Sequence, residues 1–419
     1  MASSVWAVFL VFLRLGLTSF GGPVAHLGFF RDEFVVRRRW LTERAYADLV
    51  ALCQFLPGPA SSQVGLAVGL SRAGYGGALA AWAGFTLPSA LALMAFALGL
   101  AQWGDSLPQG TLQGLKIVAV AVVAQAVWGM ARSLCPDAPR LTLMVAAAGV
   151  VLLVPHPAVQ VGTLAAAGLL GWLRWGTAGA NAPSPGAASP GDPMPVPLGR
   201  RAGMLWFSLF VVLLLGLPLL AATFPAERVL AVADAFYRAG SLVFGGGHVV
   251  MPLLQAEVVP SGWVSNETFL AGYGATQAVP GPLFTFSAFL GTAMDHGPLG
   301  ADTVGSAVGG AVAGAVWGAV WGGLLALVAI FVPSFLLVFA ALPFWETLRR
   351  RPWVQAALMG INAAVVGLLL AALYDPVFTS AIHRPHDVVL AMGALLALMV
   401  WKLPPWLVVL ACGLLGALL

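Results

Sequence analysis

Residues 52–69 read LCQFLPGPASSQVGLAVG, an apolar run with Pro57, Gly58 and Pro59 in its middle. Proline has no amide hydrogen to donate, and its ring crowds the carbonyl one turn back. Glycine adds backbone freedom at the same point. One continuous helix is excluded, and the stretch predicts two helices meeting at a break. In hydrocarbon such a break survives only when packed in protein or lining a wet cavity. The pattern recurs, because Gln277, Ala278, Val279, Pro280, Gly281 and Pro282 repeat the order of residues 54–59. Broken apolar segments at matching positions of two halves point to the binding site of a transporter.

Composition supplies the hydrocarbon. Of 419 residues, 60% are hydrophobic and 9% charged, against about 25% charged in a soluble domain. The chain reads as an all-α polytopic membrane protein whose surface partner is the lipid bilayer. Its net charge of +4 sits mostly on loop arginines, which makes no case for nucleic acid. Cys53, Cys135 and Cys412 are scattered, with neither metal-ligand spacing nor a disulfide framework. No nucleophile–base pair, metal cluster or cofactor motif stands out, so an enzyme ranks last among the function classes. The N-terminus lacks a basic n-region, and Arg14 interrupts its apolar run, so it does not read as a cleaved signal peptide.

The repeat extends well beyond the proline motif. FLRLGLTSFGG at residues 12–22 matches FYRAGSLVFGG at residues 236–246, at a constant offset of 224. Trp40 pairs with Trp263, Pro57 with Pro280, Pro88 with Pro333, and Gly114 with Gly360. The second half carries an insertion around residues 295–315. Four segments follow: a first repeat at 1–175, a Pro/Gly/Ala-rich linker at 176–201, a connecting membrane helix at 202–228, and a second repeat at 229–419. Residues 141–154 and 158–172 are short apolar runs, read as tilted spans or a hairpin.

Loop charges predict that the repeats are inverted. Cytoplasmic loops carry excess Lys and Arg. Residues 31–44 hold five arginines, whereas their counterpart, 257–267, has two acids and no Lys or Arg. The bias then swaps: residues 102–113 carry only Asp105, and their counterpart, 346–351, has three arginines. Equivalent loops thus lie on opposite sides, and the unpaired span at residues 204–222 supplies the odd crossing that turns the second half over.

Several residues in this frame could handle an anion. An arginine in an apolar segment costs at least a few kcal/mol and is a functional candidate by default. Arg14 and Arg238 share one repeat position and could bracket an oxyanion, since guanidinium offers forked donors. Asp234 lies four residues before Arg238, so a local ion pair is the competing reading there. Arg14 has no such acid, and either arginine could instead snorkel to an interface. Helix N-termini are a second anion device. Helices starting after Gly21–Gly22, Pro57–Gly58–Pro59, Gly245–Gly246 and Pro280–Gly281–Pro282 would offer four. Ser61 and Ser62 can add hydroxyl donors after Pro59, or simply cap that helix. Gln54 and Gln277 precede the two proline breaks and could line a site or satisfy freed carbonyls. Lys116 reads as snorkelling, Asp48 and Glu267 could carry a coupling proton or stand as solvated acids near loops, and His26 and His248 read as structural residues beside the breaks.

FLRLGLTSFGGPVAHLGFF, the basic loop with Trp40 and Leu41, and QFLPGP together resemble the signature of the chromate ion transporter family. VFGGGHVVMPLL, QAVPGPLFTFSAFLG and FVPSFLL are similar to that family's C-terminal domain. The resemblance covers most of the chain outside the linker. It implies a long, two-domain transporter of the bacterial cytoplasmic membrane that exports chromate and confers resistance, with halves of opposite topology and no cofactor. Sulfate, or another oxyanion of similar size and charge, is the alternative cargo; an anion channel is the alternative class. A homodimer is a candidate assembly.

Inverted halves have a direct readout. Single cysteines at Thr42 and Asn266, in a background lacking the native cysteines, should differ toward an impermeant thiol reagent applied outside intact cells. Position 266 should label and position 42 should not. Labelling of both from one side would contradict the inversion.

Overall fold

The computed structural model describes residues 4–20, 22–103, 108–154, 156–176, 198–244, 247–294, 311–345 and 351–418. Among these the protein is helical throughout and has no strand. Gly21, Gly245, Gly246, most of the linker and most of the second-half insertion lie outside the described residues.

The first half begins with α1 (Val5–Thr18), capped where the Ser4 side chain accepts from the Ala7 amide. It ends at Ser19 in extended backbone. Then come α2 (Gly22–Arg31), a π-helical turn (Asp32–Arg37) and α3 (Glu43–Phe55), which Thr42 caps through the Ala45 amide. Helix α3 stops because Leu56 precedes Pro57 and takes the extended conformation that a following proline favours. Gly58 sits at φ +120°, a backbone that side-chain-bearing residues rarely adopt. Helix α4 (Ala60–Trp103) starts directly after Pro59.

Helix α4 has 44 residues, which drawn out straight would measure about 66 Å at the helical rise, roughly twice the hydrocarbon thickness. It is two helices folded back on each other at the non-helical Ala73 and Gly74, so that Gly69 abuts the Gly77 carbonyl and Ala81. The piece before the kink is too short to span; the piece after it is long enough. Helix α5 (Gln109–Leu134) follows, then a hairpin of α6 (Ala138–Leu153) and α7 (Pro157–Trp175) turning at His156. Helix α8 (Arg200–Thr223) is the connecting span, with only Gly203 and Phe210 buried.

The second half runs in the same order. Helix α9 (Arg228–Leu242) ends at Val243 and is followed by a short turn (Gly247–Val249), α10 (Val250–Val258) and α11 (Asn266–Thr276). Gly281 sits at φ +107°, the counterpart of Gly58. A turn (Leu283–Thr285) leads into α12 (Phe286–Ala293). Then come α13 (Ala311–Ala341), α14 (Pro352–Ala372), α15 (Pro385–Met399) and α16 (Pro405–Leu418). Among the described residues, five helical stretches are long and apolar enough to cross a membrane. The protein is an all-α polytopic membrane protein.

The halves interlock through matched contacts. The Gly58 amide donates to the Val243 carbonyl at 2.6 Å, and the Gly281 amide donates to the Ser19 carbonyl at 3.0 Å. Each proline loop is thereby tied to the end of the other half's first helix. A Cβ on Gly58 would lie 2.7 Å from Ser334 Oγ, and one on Gly281 would lie 2.7 Å from Ser89 Oγ. These serines follow Pro333 and Pro88 on the long helices of the opposite halves. The exchange continues outward, with α5 packing on α15 and α16 while α14 packs on α6 and α7. Gly114 abuts the Cys412 carbonyl, and Gly360 abuts the Ala167 carbonyl. The main core accordingly mixes Leu93, Val123 and Leu164 with Phe236, Tyr273 and Leu369.

Close backbone approach is how helices associate in lipid, where burying apolar surface gains little. A Cβ at Gly360 would fall well inside contact distance of the Ala167 carbonyl oxygen, which cannot rotate away. Gly360→Ala should therefore cost about 1–3 kcal/mol, the usual range for overpacking. Gly149→Ala, where a Cβ meets nothing within 4 Å, should cost nothing. Thermal unfolding of the purified variants decides; equal melting temperatures would contradict the close α7–α14 contact.

Candidate functional site

A cavity of about 380 Å³ opens where the glycine break before α2 meets the second proline loop. Gly22, the first residue of α2, lines one side, and Gln277 and Gly281 of the second proline loop line another. The remaining polar wall comes from Gln125 on α5, His248, Thr276, and Lys402 between α15 and α16. Three residues expected from the sequence, Gly22, Gln277 and Gly281, are thus brought together from separate halves by the Gly281–Ser19 hydrogen bond.

The electrostatics of this wall have one sign. Lys402 is the only charged side chain among the described lining residues, and no carboxylate accompanies it. Its backbone is held at φ +52°. Gln277 Nε2 is buried and has no hydrogen-bond partner, so a donor is available. His248 Nδ1 lies 2.8 Å from the buried Tyr273 hydroxyl, which fixes the ring. The Thr276 hydroxyl donates to the Gly272 carbonyl at 2.7 Å. Helix α2 begins beside the cavity at Gly22, so its unpaired amides open there. A lone ammonium, a free amide donor and a helix N-terminus favour an anion.

A second polar region surrounds the start of α4. Ser61, Ser62 and Gln63 are buried there. Gln63 Nε2 donates to the Pro57 carbonyl at 2.6 Å and braces the loop, while Gln63 Oε1 has no partner. Ser61 Oγ lies 3.4 Å from His26 Nδ1. The hydroxyls of Ser19, Ser62 and Ser334, and His26 Nε2, are buried without partners. Capping accordingly does not account for Ser62. An unsatisfied buried polar group costs about 1–3 kcal/mol, so this lining suits polar contents rather than dry packing. Pro59 and Pro282 are buried, Pro57 and Pro280 half-buried, and Gln54 is exposed on α3 away from the cavity lining.

The arginine pair lies elsewhere, because neither Arg14 nor Arg238 lines the cavity. Arg238 Nε reaches both Asp234 oxygens at 2.9 Å, and its Nη atoms reach Glu257 at 2.9 and 3.1 Å. Its fork is thus committed to two carboxylates, and the local ion pair with Asp234 is present. Arg14 is exposed on α1. Glu33 follows Arg14 by the same interval at which Glu257 follows Arg238. Glu33 is bound instead by Arg37 at 2.7 Å and Arg38 at 2.6 Å. Burial opposes ionisation of Glu33, yet Arg38, Arg37 and Arg14 outweigh it and hold its pKa below the ordinary value. Lys116 is buried, and its ammonium reaches the exposed carboxylate of Glu267 at 3.5 Å.

Sequence reasoning missed Lys402 and Gln125 and took His248 for a structural residue. The available signal was a lysine before Leu-Pro-Pro between two apolar runs, but nothing local ties that position to a proline loop over a hundred residues away.

The chromate transport protein of Pseudomonas aeruginosa is 27% identical over 98% of this chain and 91% of its own length. The chromate transport protein of Cupriavidus metallidurans is 24% identical over 97% of this chain and 91% of its own. An uncharacterized transporter of Methanocaldococcus jannaschii is 25% identical over 87% of this chain and 82% of its own. No solved structure matches. The chromate transporter family model matches residues 6–172 and 230–417, the two stretches that interlock around the cavity. On that match, which covers most of its length, the chain belongs to the chromate transporter family.

Proposed function

We propose that this protein is a secondary transporter that carries chromate outward across the bacterial cytoplasmic membrane and so confers resistance. The observation that carries the reading is the cavity between Gly22 and the second proline loop, walled by Lys402 and Gln277 and free of carboxylates among its described residues. A tetrahedral dianion needs cationic and N–H donors and is repelled by acids. Relatives named as chromate transport proteins, similar along nearly the whole chain, support that cargo. Sulfate has the same shape and charge and should compete.

Two matched halves joined by reciprocal hydrogen bonds suit alternating access, in which one repeat rocks against the other around a fixed site. In this reading the halves are inverted in the membrane, and each Pro-Gly-Pro loop is the point about which the opposite half turns. Lys402 supplies the counter-charge, Gln277 the orienting donor and Gly22 the helix end. The polar lining from Ser61 to Gln63 is the matching part of the path in the first half. Arg238 and Arg14 act as scaffold charges that hold the ends of the first helices, not as an anion clamp.

Lys402→Gln removes the charge and keeps a donor. It should weaken chromate binding about 10- to 100-fold, matching the 1.5–3 kcal/mol typical of a charged hydrogen bond. Lys402→Arg should recover most of this. The measurement is chromate flux in proteoliposomes over a concentration range, with sulfate as competitor. Wild-type affinity in Lys402→Gln would remove the cavity from the substrate path.

A further inference from the structure

A cavity for a dianion that holds one lysine is one positive charge short. The residue placed to supply the second is His248. It lines the same cavity as Lys402 and Gln277, on the short turn between the second-half glycine break and α10. Its ring is positioned by the Tyr273 hydroxyl at 2.8 Å.

No acid is available to compensate a proton on this ring. The turn packs against α10, α14 and the turn Leu283–Thr285. Helix α14 and the 283–285 turn carry no titratable residue. Glu257, the acid of α10, is bound to Arg238. From α11, Tyr273 touches the ring, while Glu267 pairs with Lys116. From α5, Gln125 faces the cavity, and Lys402 completes the wall with a charge of the wrong sign to favour an imidazolium. The neutral ring therefore suits the empty cavity. An entering dianion reverses the balance.

We propose that His248 is a proton-binding site linked to the oxyanion, so that anion binding draws one proton from solvent onto the imidazole. No bond other than N–H forms, and nothing is oxidised or reduced. The proton and the dianion each make the other's binding more favourable, a reciprocal coupling of two sites. Transport then moves the anion with a proton. This rests on the oxyanion reading of the cavity given above.

The test is sulfate binding to the purified protein by titration calorimetry at about pH 5.5 and about pH 8, either side of the histidine range. Sulfate remains a dianion at both, so the charge of the cargo does not change. Wild-type protein should bind about 10-fold more tightly at the lower pH, within the range usual for coupled sites. It should also take up a proton, read from titrations in buffers of different ionisation enthalpy. His248→Gln should lose both effects, and His26→Gln should lose neither. Tyr273→Phe removes only the hydroxyl and should shift the pH midpoint while retaining the dependence, which keeps the test open if His248→Gln does not fold. Equal wild-type affinity at both pH values overturns the proton site and leaves the oxyanion reading standing. So does pH dependence retained in His248→Gln, lost in His26→Gln, or unshifted in Tyr273→Phe. Folded wild-type protein that binds neither sulfate nor chromate overturns both.

Discussion

An amide in hydrocarbon must find a partner, and a helix broken by Pro-Gly-Pro cannot supply one from its own turn. Here the glycine amide of each break finds its partner in the other half. The Gly58 amide finds Val243, and the Gly281 amide finds Ser19. These two bonds make the breaks tolerable, and they bring the end of α1 against the second proline loop. Without the Gly281–Ser19 bond, Gly22 and Gln277 would have no reason to share a wall. The site is thus a consequence of how two defects satisfy each other.

Packing outside the loops follows the same exchange. Helices α5 and α14 each leave their own half to lie against the terminal hairpin of the other, with glycine at the closest approach. Such contacts leave few side chains to adjust at the interface between the halves. Charge is separated by position. The carboxylates that neutralise arginine, Asp234 and Glu257 with Arg238, and Glu33 with Arg37 and Arg38, lie outside the cavity lining. The ammonium of Lys402 is left as the lone charge of the described lining.

The sequence made much of this legible because the informative residues act locally. Proline at 57, 59, 280 and 282 stops helices wherever it stands, and the same residues at a constant offset expose the repeat. Asp234 and Arg238 lie one turn apart, so their pairing could be anticipated. The Arg238–Glu257 contact could not, since the two residues stand nineteen apart on helices separated by a break. Arg238 looked functional because arginine is costly in apolar sequence, but its fork is committed to Asp234 on its own helix and to Glu257 on α10, while Arg14 lies exposed on α1. Lys402 and His248 show the converse. Each is unremarkable in its own segment, and each takes its proposed role from elements far apart in the chain that line one cavity.

In the function proposed here the oxyanion binds where the glycine break before α2 meets the second proline loop. An experimental structure with chromate bound, its chromium located by anomalous scattering, tests this most directly. The account predicts chromium in the cavity between Lys402 and Gln277, close to Gly22. Chromium beside Arg14 or Arg238, with the cavity unoccupied, would contradict it.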